Sequence, residues 1–410
     1  MTEPAASHRG PAAEGSGKSG MRWASAVSER VDTRAALEEA VSAVLAGSDR
    51  SPDLVLAFVS AHHAPAYESL YAWLREAVGE ALFVGTSAAG VIGAGRELEG
   101  REALSLTAAW LPDTLVRSVH LRQLPDDDNP HSWSRTLGVP LSAAPCFLVL
   151  ADPGSCDSDR LLRCLDTAFP RSVKIGGLMS GGEGKQTPAL LHGSRVERGG
   201  ALLLMLDGPI ELTTIVAQGC RPVGEPLIVT RSRGNIIQEL NAGKPADVLR
   251  GLHARLPTRD LALFDSSLFL GLAMTDKRGS YEAGDFLIRN ILGVDRESGA
   301  MATDARLGEY QVVQFHMRDR ESAAQDLAQR LRQFARSDAA ARARGALVFS
   351  CVGRGERLYG VADHDSDVFQ RRVGAASLAG CFCNGEIGPV AGKTFVHGYT
   401  SVFAVFSERG

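Results

Sequence analysis

The chain has 410 residues, 44% hydrophobic and 22% charged, the composition of an ordinary globular protein with room for about two or three domains. Lys plus Arg number 44 against 48 Asp plus Glu, and this net charge of −4 gives no electrostatic reason to expect nucleic acid or an anionic membrane as partner. Seven cysteines, odd in number and scattered along the chain, are no disulfide framework and fit a reducing compartment, while no apolar run approaches the roughly 18–20 residues of a membrane helix.

Residues 1–20 are rich in Pro, Gly, Ser and Ala and lack an apolar signal core, so they are expected to be a disordered tail. "VDTRAALEEAVSAVLAG" follows with Asp32 or Thr33 as a helix start and Gly47 as a stop. "LVLAFVS", Leu54 to Ser60, is short enough to be a buried strand. From Tyr67 the apolar side chains Leu70, Tyr71, Leu74, Ala77 and Val78 recur at helical spacing up to Gly79, and "ALFVGTSAAGVIG" then gives a strand running into a glycine-rich turn.

That order recurs. "CFLVL", Cys146 to Leu150, is followed by a helix with Leu161, Leu162 and Leu165 on one face and then by "SVKIGGLMSGG". "ALVFSCV", Ala346 to Val352, leads through a short helix at Val368 to Val373 into "SLAGCFCNGEIG". The distances from Val59 to Gly85, Leu150 to Gly176 and Val352 to Gly380 are nearly equal, and "GTSAAGVIG" superposes on "GCFCNGEIG" as G-x-x-x-x-G-x-I-G. These readings point to an internally repeated strand-helix-strand-glycine-turn unit. Two strands joined through such a helix are expected to be parallel neighbours, so the loops leaving both emerge at the sheet edge where open α/β sheets bind ligands. The segments between the repeats alternate as antiparallel strands do. The expected fold class is therefore α/β, two related halves with mixed sheets, divided near Gln218 to Gly224 into domains at 21–217 and 218–406 with a short tail at 407–410.

Chemistry concentrates in the last repeat. "SCVGRGE" places Cys351 at a strand end, followed by Gly353, Arg354 and Gly355, and Cys381, Cys383, Asn384 and Glu386 follow the neighbouring strand. The donors of Arg354 match a two-oxygen anion, and the flanking glycines let backbone amides approach; the alternative is an ion-paired charge beside tight turns. Zinc would need Cys351, Cys381, Cys383 and His364 or His397, but C-x-C spacing is a poor match to structural sites, and no metal or cofactor is implied. A thiolate enzyme using Cys351 or Cys381 is one rival reading, although no His adjoins either thiol, and a ligand-independent adaptor or scaffold is the other. A second cluster combines Arg289 in "GDFLIRNILG" with Gln314, His316 and Arg318 on one face of the strand "QFHMRD", either a pocket lining or an ordinary charged strand face. Ser87 misses the G-x-S-x-G pattern, His62 and His63 read as surface residues, and "GLMSGGEG" lacks the G-K-[ST] of a phosphate loop.

In combination, "FVGTSAAGVIG", "KIGGLMSGG", "VAQGCRPVGEPLIVT", "GDFLIRNILG", "QFHMRD", "CVGRG" and "NGEIGP" resemble the FIST family, with its FIST N and FIST C domains, from about Trp23 to about Phe406. The resemblance implies a cytoplasmic sensory module that binds small molecules, amino acids being the proposed ligands, coupled to kinases in bacteria and to an F-box in eukaryotes. It assigns no catalytic residue. With only about twenty residues ahead of the first domain, the output is expected to pass through a signalling protein partner or an oligomer. The expected ligand-binding residues are Cys351, Gly353, Arg354, Gly355, Cys381, Asn384 and Glu386, then Arg289, His316 and Arg318.

Overall fold

The computed structural model describes residues 6–9, 20–182, 188–275, 281–374 and 376–409. They form two compact units, Met1–Val216 with Gln329–Val396 and Thr400–Gly410, and Ala217–Ala328 with His397–Tyr399. The fold is mixed α/β, and among the described residues no helix is long and apolar enough to cross a membrane.

The first unit holds the repeats. Each begins with a lead strand: Leu54–Ser60, Cys146–Ala151 and Ala343–Cys351. A helix follows, Tyr67–Val78 or Ser158–Ala168, or the pair Glu356–Tyr359 and His364–Val373, which starts earlier than the sequence suggests. The chain then returns as a parallel partner strand, Leu82–Ala88, Lys174–Leu178 or Ser377–Cys383, as a helical crossover requires. Buried Tyr67, Leu70, Leu74 and Val78 form one stripe of the first repeat's helix, and Gly79 at φ +68 ends it.

The repeat glycines lie inside the partner strands rather than after them. A Cβ on Gly85, Gly176 or Gly380 would fall 2.2, 1.9 or 1.8 Å from the carbonyl oxygen of Ala57, Val149 or Val348 on the lead strand. Only glycine allows that approach. In the first and third repeats the bend that follows is a single residue, Ala89 or Asn384.

Beyond the bend each chain crosses into another repeat's sheet. The crossing strand of the first repeat, Gly90–Gly93, pairs with the partner strand of the third; that of the second, Leu190–His192, with the first; that of the third, Gly385–Val390, with the second. A return strand, Leu104–Trp110, Ala201–Asp207 or Thr400–Glu408, then pairs antiparallel with its own lead strand. Among the described residues the result is three interlocked sheets of seven, six and six strands. Leu54, Leu56, Phe58, Leu148, Leu150 and Phe349 meet in a shared core, each contributing about 2 kcal/mol by burial. In the first two repeats alternate side chains face the helices. Ala6–Arg9, within the tail expected to be disordered, add an edge strand to Leu115–Leu121. An open edge offers backbone donors and acceptors that an extended segment can take up largely regardless of its sequence.

The main segment of the second unit lies in the chain between the return strand of the second repeat and the lead strand of the third. The chain enters it at Ala217 and leaves it after Ala328, before the third repeat's lead strand begins. Among the described residues its strands form one closed barrel in the order Cys220–Arg233, Ile236–Leu240, Met301–Thr303, Phe286–Val294, Leu268–Ala273, Val312–Arg318. Val229, Ile237, Leu270, Met301 and Phe315 fill it together with Leu252 from the helix Pro245–His253.

Candidate functional site

Registers across the interlocked sheets identify equivalent positions. Val91 faces Cys381, Leu190 faces Thr86, and Glu386 faces Gly177, in each case the residue after a repeat glycine. All three side chains are fully buried. Two repeats therefore use an aliphatic residue where the third uses a carboxyl. A parallel replacement occurs one strand over, where Val59, Ala151 and Ser350 each face the residue two beyond their glycine.

Around Glu386 lies a buried polar cluster at the C-terminal edge of the third repeat's parallel pair. Glu386 Oε2 accepts from the Thr400 amide at 3.1 Å, and the Cys383 thiol donates to Oε1 at 3.5 Å. Burial pushes the Glu386 carboxyl up to about 8, against the opposing pull of these donors and of Arg354. The Arg354 guanidinium is also fully buried; Nε donates to Asp365 Oδ2 at 3.0 Å and Nη2 to Asp365 Oδ1 at 3.3 Å and to the Tyr359 hydroxyl. Burial opposes both charges, but the pair outweighs it, holding Arg354 above its ordinary range and Asp365 well below that of a carboxylate. Asp365 also accepts from Ser401 Oγ at 2.6 Å, which meets Ser350 Oγ at 2.9 Å. Asp365 thus takes much of the two-oxygen role that the sequence reserves for a ligand. Arg354 Nη1 finds no hydrogen-bond partner among the described residues.

A roof comes from the first repeat's hairpin strand Arg96–Glu99. Glu97 Oε1 accepts from the Ser366 amide at 2.6 Å and Glu99 Oε1 from the Glu356 amide at 2.9 Å, so each carboxyl meets the start of one short helix. Burial and the nearby Asp365 raise Glu97 to about 8, and its Oε2 has no partner among the described residues. Gly355, at φ +63, leaves room for Glu99, whose Oε1 would lie 2.1 Å from an added Cβ.

Cys351 faces Cys383 across the strand pair and accepts from the Gly353 amide at 3.4 Å. Burial raises the thiols of Cys381 and Cys383, and Glu386 adds to this, so both are neutral near pH 7. Among the described residues no group of His, Cys, Asp and Glu is placed to hold a metal ion. Asn384 is exposed at the bend, its Nδ2 donating to the Met179 carbonyl at 2.8 Å. In the second repeat, positions 183–184 of "GLMSGGEG" lie outside the described residues.

Arg289, His316 and Arg318 belong to the barrel unit, on two faces of its wall. Arg289 shares the inward-facing row with Leu287 and Ile291, opposite Leu270. His316 lies on the outer face against Phe286, its Nδ1 at 3.1 Å from the Gln314 carbonyl, and burial lowers it to about 4. The Arg318 guanidinium lies 5.4 Å from the Tyr399 ring centroid. His63 is buried rather than a surface residue, bonded to Thr33 Oγ1 at 2.9 Å.

Sequence reasoning missed Asp365, Tyr359, Ser401 and Glu97. Asp365 adjoins His364, which drew attention only as a metal ligand, and Glu97 arrives from another repeat with no local signal.

Parallel strand pairs carrying buried polar chemistry at their C-terminal edge are the arrangement of ligand-binding α/β proteins. Comparison with known proteins gives the particular family: residues 53–243 match the FIST N domain and 245–389 the FIST C domain. The chain belongs to the FIST family, which is associated with sensing in signal transduction. It is similar to the uncharacterized protein Rv0628c of Mycobacterium tuberculosis, 33% identical over 95% of this chain and 100% of the relative. It is also similar to the uncharacterized protein Mb0898c of Mycobacterium bovis, 35% identical over 65% of this chain and 69% of the relative.

Proposed function

We propose that this chain is a small-molecule-binding sensory protein, working in the cytoplasm, that reports occupancy to a signalling partner. Its ligand is a small anionic or zwitterionic metabolite, with amino acids the first class to test, and it meets the third repeat at Cys351, Gly353, Arg354, Gly355, Cys381, Asn384 and Glu386. One observation carries this reading: the fold fills the Glu386 position with Val91 and Leu190 in the other repeats, so the carboxyl and the charges beside it are not needed to build the sheet. Asp365 orients the guanidinium, leaving Nη1 to meet an anionic oxygen, while a protonated Glu386 donates to the ligand and an ionised one accepts from an amine.

The test is thermal-shift screening of the full chain with amino acids and small dicarboxylates, followed by calorimetry on Arg354→Lys, Glu386→Gln and Asn384→Ala. The expected result is at least about a tenfold loss with Arg354→Lys, because an ammonium cannot reproduce a planar fork. The smallest loss is expected for exposed Asn384. A ligand that binds all three folded variants like the parent would overturn this placement, and no stabilisation by any compound would overturn the sensory reading. Pull-downs with and without the ligand then test for a partner that responds to occupancy.

A further inference from the structure

A second site lies in the barrel unit, in a cavity of about 490 Å3 between the barrel wall and the turn joining the helices Pro245–His253 and Thr258–Ser267. The wall opens there for a local reason. Val223 faces Phe315 and Leu227 faces Val313, so Gly224, Glu225 and Pro226 on one strand stand against Gln314 alone on the other. Pro226 has no N–H to donate, and Gly224 adopts φ +71, which peels the strand outward. Gln314 Nε2 holds the bulge by donating to the Gly224 carbonyl at 2.7 Å.

The lining is largely apolar, with Val223, Leu227, Val248, Leu252, Leu256 and Phe315 around the space. Its volume falls in the range of small-molecule sites, roughly 300–1,000 Å3. Three charged side chains also line it. Asp260 is buried and already ion-paired, accepting from Arg221 Nη2 at 2.7 Å. Glu225 is exposed at the tip of the bulge. Arg255 stands between Leu252 and Leu256, and its Nε donates to the Gly251 carbonyl at 3.0 Å, which orients the guanidinium and leaves its two terminal nitrogens for an anion.

We infer that this cavity binds an aliphatic carboxylate, its chain against the leucines, valines and Phe315 and its head on Arg255. The site is separate from the one proposed above, and either can fail without the other.

The test is calorimetry of the full-length protein with straight-chain carboxylates of six to twelve carbons and the matching alkylamines, below their micelle concentrations. Carboxylates should bind, tightening by roughly fourfold per added methylene until the cavity is full, as burial of one CH₂ predicts. Arg255→Ala should weaken them about tenfold or more, and Glu225→Gln should tighten them by removing a like charge. Leu252→Trp should weaken binding by intruding into the space; since it could also disturb the barrel core, Arg255→Ala, at an exposed side chain, is the deciding variant. Arg354→Lys should leave carboxylate binding unchanged. The inference is overturned if carboxylates do not bind, if alkylamines bind more tightly than carboxylates, or if folded Arg255→Ala binds them like the parent.

Discussion

The first and third repeats share a backbone plan and differ in what they bury at its edge. Both run lead strand, helix, parallel partner strand, single-residue bend and crossing strand, with Gly85 and Gly380 pressed against a carbonyl of the lead strand. At the edge the first repeat buries Val59 and Val91, whereas the third buries Ser350 and Glu386 and adds the Arg354–Asp365 pair. The second repeat sides with the first through Ala151 and Leu190. Buried ion pairs are weak contributors to stability once desolvation is counted, so the third repeat gains little fold stability from its charges. Features common to the repeats belong to the fold, and features confined to one are candidates for function.

That comparison can be broken by exchanging residues between repeats. The largest effect is expected from Asp365→Ala, which strands the buried Arg354 charge and should cost about 4 kcal/mol in urea unfolding. Replacing both partners, Arg354→Met with Asp365→Leu, should recover most of it; failure to recover would make the pair a structural requirement. Gly85→Ala, Gly176→Ala and Gly380→Ala should each cost about 3 kcal/mol, because the added carbon meets backbone in all three repeats. Unequal losses would mean that the three positions are not equivalent. Val91→Glu, which places the third repeat's carboxyl where no Arg354–Asp365 pair awaits it, should cost about 2 kcal/mol at pH 5 and more at pH 8 as the buried group ionises.

How far the sequence revealed these differences depends on the range of the contacts. The repeat was legible because "GTSAAGVIG" and "GCFCNGEIG" repeat the glycines that close strand approach demands. Arg354 and Glu386 could be named together because strand-helix-strand topology brings their loops to one edge. Asp365 was not legible as their partner, since nothing in "DHDSD" says which carboxylate turns inward. Glu97 reaches the cluster only because crossing strands interlock the sheets, a pairing between residues far apart in the chain. In the barrel, alternation marked the strand holding His316 but could not give its register against the strand of Arg289, and register decides which side chains share a face.

The smallest expected change is also the most discriminating. Glu386→Val installs the first repeat's residue in the third and removes a carboxyl whose folded pKa stands near 8 against 4.5. A raised folded value means that the native state holds a proton the unfolded state has released. The stabilisation is therefore complete below about pH 4.5 and is lost as pH rises through 8. Parent stability should fall across that window on the order of 1 kcal/mol per pH unit from Glu386, with Glu97 adding a fall of the same sign. At pH 5 the variant loses the hydrogen bonds from Thr400 and Cys383, so it should be about 1 kcal/mol less stable than the parent. By pH 8 the order should invert, with the valine form the more stable. Urea unfolding of both proteins at pH 5, 6.5 and 8 measures this crossing. A difference that stays constant with pH would mean that Glu386 ionises like an ordinary carboxylate in the folded protein, and the third repeat would then differ from the first in composition without differing in electrostatics.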